Sequence, residues 1–351
     1  MQRIPICEVT PMRSELVEGK EVVSITSRER VRAVVNNRVP DRVPFNFWMD
    51  RDLMAELDVK YGENFRVCYY DADVIESFLL FEFFPEAAKN AEYKNDGKTI
   101  WTVHYPARSV TELKDASYPD PDCPDNYRLL REDRAKYPDK AIFAFMVTPL
   151  DILFAQMGME QFFYDTAEED ELIDEIIDRI SQIYIRALDH IVAIGCDVLY
   201  VLGDICSSKS QMMSNNMLRR FCFEPIKKIV NKAHELGLKV FYHTDGYVMD
   251  ILPLFVEYGL DGINPFQISV GNDINIFMEE YASKLMIYGG IDNLFIIPNG
   301  TIDDVRAHIR YLFNTLGRNG RFIASSHDIP SYVPMANVDA MVDEIKKCRY
   351  G

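Results

Sequence analysis

From about Asn126 to the end of the chain, short apolar runs rich in β-branched and aromatic residues alternate with longer stretches whose apolar residues recur at three- and four-residue steps. The first pattern suits a strand buried on both faces and the second a helix with one apolar side; their alternation builds a parallel sheet with crossover helices. Strands are predicted at residues 141–147, 197–202, 239–243, 262–266, 285–289 and 321–325. The strongest helix spans 167–193, where Ile173, Ile176, Ile177, Ile180, Tyr184, Leu188 and Ile191 share one face. Thr166 with Glu169 predicts a capping box at its start, and Gly195 a left-handed stop at its end. A second helix is predicted over 217–236, with Pro225 implying a kink or break.

Upstream, residues 27–36 read as a short capped helix, 39–45 as a turn feeding a strand, and 70–75 as another strand. Residues 91–110, with Asn95-Asp-Gly97 between alternating apolar positions, predict a β-hairpin laid over the scaffold. About eight β/α units result, which favours a single (β/α)8 barrel over an open doubly wound sheet. Residues 1–26 are then an N-terminal extension, and 27–351 one barrel domain with a hairpin insertion near 91–110.

Composition narrows the function. The 351 residues include 38 Lys and Arg against 55 Asp and Glu, a formal charge of −17, with 48% hydrophobic residues. The apolar fraction excludes intrinsic disorder, and the acidic balance argues against nucleic acid, whose phosphates demand clustered Lys and Arg. Neither a run of ~18 apolar residues nor a signal-peptide core in residues 1–20 is present, so a soluble, cytoplasmic protein without membrane contact is expected. Seven scattered cysteines without a CxxC suggest neither a disulfide framework nor a zinc finger. No Walker-type or GxGxxG phosphate loop supports ATP or NAD.

Barrel enzymes carry their catalytic groups at the C-terminal ends of the strands, so polar residues that follow an apolar run are the candidates. These are Asp204, His243 with Asp245, Asp292, and His327 with Asp328. Imidazole and carboxylate from different strand ends can converge on a metal such as zinc or iron, or without metal can transfer protons. The competing expectation for each aspartate is the capping of the following helix. Cys206, two residues past Asp204, is either a site thiol or an inert buried cysteine. His190 and His234 in helices, His308 near a helix surface and His104 in the hairpin are expected to be structural or solvated.

Residues 28–44, RERVRAVVNNRVPDRVP, resemble the opening of the uroporphyrinogen decarboxylase superfamily, which also contains corrinoid-dependent methyltransferases. The similarity continues through residues 233–246, 262–267, 288–292 and 325–330, in the family's order. It implies a (β/α)8 barrel with its site at the strand C-termini, where Asp292, Cys206, Gln267 and Tyr242 are the expected substrate contacts. True uroporphyrinogen decarboxylases carry an Arg-Gln-Ala-Gly-Arg stretch whose arginines engage substrate carboxylates. Here residues 45–52 offer only Arg51, beside two acids, which disfavours a porphyrinogen with its eight carboxylates.

The superfamily's coenzyme M methyltransferases bind zinc through His-x-Cys and a later Cys. At those positions this chain has His243, Asp245 and His327, a harder donor set better matched to an oxygen ligand than to a thiol. The implied activity is a zinc-dependent methyltransferase that moves a methyl group between a small, O-methyl substrate and a corrinoid on a separate protein, since no cobalamin-binding domain is recognisable. His243, Asp245 and His327 are the implied zinc ligands, and His243, His327 and Asp204 the catalytic groups. Asp204 is either a fourth ligand or the acceptor that fixes a histidine tautomer. The alternatives are a metal-independent decarboxylase of a smaller acid, with His327 and Asp204 managing protons, and a catalytically silent binding protein. A homodimer is left open.

Overall fold

The computed structural model of the chain describes residues 16–17, 20–21, 25–95, 100–168 and 170–350. Seven strands form one sheet: β1 (Val74–Phe78), β2 (Ala141–Val147), β3 (Val198–Leu202), β4 (Lys239–His243), β5 (Gly262–Asn264), β6 (Met286–Ile291) and β7 (Phe322–Ser326). Their order in space is their order in the chain. Pairing is parallel from β2 through β5 and between β6 and β7, the α/β pattern that the alternation predicted. All of β6 and β7 is buried, which is why these strands read as continuous apolar or small-residue runs without a polar side.

The described residues fall into two compact units. One comprises those up to Ile75, Tyr137–Ala141 and those from Pro265 onward. Its first helix, Ser27–Val35, is capped one residue earlier than predicted. The Thr26 hydroxyl accepts from the Glu29 N–H at 3.1 Å, and the Glu29 carboxylate accepts from the Thr26 N–H at 2.7 Å.

Arg30 donates from this helix to Asp41 at 2.6 Å and to Asp73 at 2.7 Å. Arg42 donates two further bonds to Asp73, at 2.7 and 3.0 Å, and the Phe45 N–H a fourth at 2.9 Å. Asp73 is fully buried, so its charge is balanced entirely by these donors. Arg30 and Arg42, in the segment resembling a family opening, are therefore structural. They brace residues 44–46 against β7: the Ala324 N–H donates to the Pro44 carbonyl at 2.9 Å, and the Asn46 N–H to the Ala324 carbonyl at 3.1 Å. On its other side the Phe45 carbonyl accepts from the Asp73 N–H at 2.8 Å. A single-residue bridge, Phe45 to Ala324, thus stands where the expected strand after residues 39–45 was placed. The strand expected at 70–75 starts only at Val74, because Asp71 sits in a left-handed turn, φ +58°, and Asp73 is committed to the arginines.

The other unit comprises Glu76–Lys136 and Ile142–Asn264. Its helix Asp170–Ile194 buries Ile173, Ile176, Ile177, Ile180, Tyr184, Ala187, Leu188 and Ile191, the predicted stripe. The predicted cap differs. A helix absent from the sequence reading, Pro149–Glu168, runs up to this point, and the Thr166 hydroxyl donates back to its Phe163 carbonyl at 2.7 Å; Glu169 lies outside the described residues. That helix is broken at Gly158, φ +77°, where the Tyr105 ring lies only 2.7 Å from where a β-carbon would stand.

The predicted helix over 217–236 is present in three parts: Asn215–Met217, a π-helical turn at Leu218–Phe223, and Glu224–Glu235. Pro225 falls in the first turn of the last part, where its missing N–H costs nothing, so the chain passes the proline with a widened turn. The predicted hairpin forms from Glu92–Asn95 and Ile100–His104, with its Asp96-Gly97 turn outside the described residues. Among the described residues no helix is long and apolar enough to cross a membrane.

Candidate active site

His243 is the last residue of β4 and is buried. Its Nδ1 lies 2.6 Å from Oδ1 of Asn264, the last residue of β5, and 3.0 Å from the hydroxyl of Tyr200 in β3. Tyr200 donates to the same Asn264 oxygen at 2.6 Å. A carboxamide oxygen only accepts, so the imidazole proton resides on Nδ1 and Nε2 presents its lone pair. The residue that fixes the tautomer is therefore Asn264, which removes one of the two roles expected of Asp204.

Asp204 stands on the opposite side of the ring. Its Oδ1 is 4.0 Å from His243 Nε2, and its side chain is 51% exposed. The same oxygen accepts from the Asp245 N–H at 3.4 Å. Gly203, just before it, can only be glycine: a β-carbon there would lie 2.2 Å from the Tyr242 hydroxyl and 2.6 Å from Thr148 Cγ2.

The Asp204 N–H donates to Oδ1 of Asp151 at 3.3 Å. Asp151 was not a sequence candidate. The Thr148 hydroxyl donates to its other oxygen, and the Asp151 N–H returns a bond to that hydroxyl at 3.0 Å, a reciprocal cap on the helix that follows β2. Burial, with the neighbouring Asp204 carboxylate adding to it, pushes the Asp151 carboxyl up to about 7 despite the Thr148 bond. A group that gains and loses its proton near neutrality is thus joined to Asp204, whose carboxylate lies 4.0 Å from the histidine.

Among the described residues, His243, Asp245 and His327 each offer a ligand atom, and these atoms lie within 4.8 Å of one another. Two imidazoles and a carboxylate at this separation are a donor set for a divalent metal of borderline character.

The family model described as uroporphyrinogen decarboxylase (URO-D) matches residues 85–348, most of the chain. The chain belongs to the uroporphyrinogen decarboxylase family. Among solved structures it is similar to a methyltransferase from Methanosarcina mazei, at 17% identity and a TM-score of 0.71, covering 92% of this chain and 99% of that one. At that identity the likeness establishes the fold, a barrel of the (β/α)8 type. A glycosylated endo-β-1,4-xylanase from Gloeophyllum trabeum, at 10% identity and a TM-score of 0.47, covers 91% of this chain and 98% of its own. It is too distant for any comparison of sites.

The remaining predicted residues are placed unevenly in this uroporphyrinogen decarboxylase family member. His327 is half-buried, one residue beyond β7. Tyr242 is displaced from the expected role: strand alternation turns it away from the His243 side, and it is fully buried against Phe223 and Phe255, with its hydroxyl 3.2 Å from Cys222 Sγ. Cys206 is buried, and burial pushes its thiol up to about 12, so it stays protonated, matching the inert reading.

Asp292 caps: its Oδ1 accepts from the N–H groups of Leu294, Phe295 and Ile296 at 2.9, 2.7 and 3.4 Å. Its own N–H donates to His308 Nε2 at 3.1 Å, and His308 is buried rather than near the surface as expected. Gln267 is half-buried beyond β5, and its carbonyl accepts from the Asn272 side chain at 2.8 Å. Asp328 is exposed, its carbonyl accepting from Asn293 at 2.8 Å.

The residues that sequence reasoning missed are Asp151, Thr148, Tyr200 and Asn264. Thr148 directly follows an apolar strand, the same signal that found the others; Asp151 lies within the first turn of the next helix, and Asn264 is an uncharged residue ending a strand.

Proposed function

We propose that this family member is a metal-dependent methyltransferase that moves a methyl group between a small O-methyl substrate and the corrinoid of a separate protein. The observation that carries the reading is the gathering of His243, Asp245 and His327 within 4.8 Å. Their chemistry fits a zinc ion, for which imidazole and carboxylate are ordinary ligands. His243 also has the partner that metal-bound histidines usually have, a hydrogen-bond acceptor on the far nitrogen, here Asn264 at 2.6 Å. Zinc held by these three residues would act as a Lewis acid on the ether oxygen of the substrate, easing departure of the alkoxide or phenoxide as the corrinoid takes the methyl group.

The chain's own residues supply the rest. Asn264 and Tyr200 keep the His243 proton at Nδ1 and hold the ring in place. Asp151, poised near neutrality, holds a proton that the departing oxygen can take, while Asp204 links it to the histidine side through its backbone and carboxylate. The fold shared with a protein described as a methyltransferase supports the same reaction class.

Elemental analysis tests the proposal: about one zinc per chain is expected, and His243→Ala should lose it. With a methoxylated compound and added cob(I)alamin, methylcobalamin should form with the native chain and not with this variant. Metal content unaffected by His243→Ala would overturn the assignment. A second reading, a metal-independent decarboxylase of a smaller acid, is favoured by Asp151, since a carboxyl titrating near 7 suits protonation of a carbanion. Carbon dioxide release from metal-free protein is the outcome that would select it.

A further inference from the structure

A cleft of about 510 Å3 opens at the C-terminal ends of β1 and β2 and reaches the start of the helix Pro149–Glu168. Phe78, Phe81, Phe83, Phe145 and Ile152 form its walls, and Asp151 contributes the polar group nearest the candidate site. Phe78 is 40% exposed, and Phe81, Phe83 and Phe145 are half-buried. Partly exposed phenylalanines converging on a concave surface of this volume are the mark of a ligand site, because water leaves such walls unfavourably solvated.

The walls lead to the chemistry. Phe78 and Phe145 are 4.5 Å apart, centroid to centroid, and Phe145 meets the Tyr200 ring edge-on at 5.3 Å. Tyr200 in turn stands edge-on to the His243 imidazole at 6.0 Å. Along the polar side, Asp151 accepts from the Asp204 N–H, and Asp204 lies 4.0 Å from His243 Nε2. The lining contains no Lys or Arg, and its one exposed charge is the acid Glu82. A carboxylated substrate would therefore lose its hydration here without a cationic partner, and an aliphatic one would forgo the edge and face contacts that the rings offer.

We infer that this cleft is a substrate subsite that takes the ring of an uncharged aromatic methyl ether, with Asp151 facing an oxygen substituent and the ether directed toward His243. The inference rests on the proposed methyl transfer for the identity of the ether, but ring binding requires neither metal nor corrinoid and is testable alone.

The experiment is calorimetric titration of metal-free protein with 4-methoxyphenol, with methoxycyclohexane and trimethylglycine as comparison probes. The native chain should bind 4-methoxyphenol at least about tenfold more tightly than either comparison probe. Phe78→Ala should weaken binding about tenfold, or about 1.4 kcal/mol. Ala155→Trp, at an exposed cleft position, should fill the space and abolish binding. Both positions are exposed, so neither change threatens folding. Equal affinity for the three probes, no binding of 4-methoxyphenol, or binding indifferent to both substitutions would overturn the subsite. Ring binding that follows the expected pattern without methylation of cob(I)alamin by the metal-loaded protein would instead overturn the methyltransferase reading and leave the subsite standing.

Discussion

His243 and Asn264 are joined at 2.6 Å across neighbouring strands, and this one bond decides which imidazole nitrogen is available to a ligand. Asn264→Ala should therefore lower zinc affinity about 10- to 100-fold, the usual effect of removing the partner of a metal-bound histidine. Tyr200→Phe should cost less, since it leaves the bond itself intact. Competition with a chromogenic chelator measures both. Equal affinities in the native chain and Asn264→Ala would show that the ring is oriented by something else.

Asp151 makes stability fall as pH rises. Its carboxyl titrates at about 7 in the folded chain against an ordinary 3.8, so between those values the native state holds a proton that the unfolded state has released. The unfolding free energy then declines with pH, by up to about 1.4 kcal/mol for each pH unit in that window, and levels off above it. Asp151→Asn should remove this slope and be more stable than the native chain at pH 8 while matching it near pH 4. Urea titrations across pH 4 to 8 would expose a slope that survives the substitution, which would refute the assignment.

Asp73→Ala should be among the most damaging single changes. It leaves the Arg30 and Arg42 guanidiniums buried without the carboxylate that accepts three of their hydrogen bonds. Breaking a buried ion cluster from one side costs about 3–5 kcal/mol. Denaturant midpoints should report it, with circular dichroism confirming that residual structure is not native.

Gly158→Ala carries two penalties that can be separated. A side chain at φ +77° is strained whatever surrounds it, and the added carbon would meet the Tyr105 ring at 2.7 Å. We expect a loss of about 1–3 kcal/mol from the backbone alone and more from the clash. Adding Tyr105→Ala should restore only the second part in thermal denaturation.

Much of the architecture was legible because burial writes itself into composition. Residues 141–147 have no polar position, since both strand faces are covered, and the helix Asp170–Ile194 shows a clean apolar stripe. The helix Pro149–Glu168 escaped detection for the opposite reason: its apolar residues lie all round, and Gly158 divides it. Residues 70–75 were misread because apolar content at Tyr70, Ala72, Val74 and Ile75 outweighed two aspartates, one in a turn and one in an ion cluster. At the site, His243, Asp245 and His327 stood out as polar residues after apolar runs. Asn264 carries no charge and gives no such contrast. Asp151 was hidden within the helix cap that it forms with Thr148, and Tyr242 was misassigned by neglecting that adjacent strand residues face opposite ways.

The bridge from Phe45 to Ala324 also sets an order on synthesis. Arg30, Arg42 and Asp73 leave the ribosome early and can fix residues 44–46 in extended form, but their hydrogen-bonding partner follows roughly 280 residues later, tens of seconds at ~5–20 residues per second. Throughout that interval an unpaired edge is displayed to every other nascent chain nearby. Ribosome-bound chains that stop short of Phe322 should therefore be the ones that holdase chaperones retain, and release from them should coincide with emergence of the last strand.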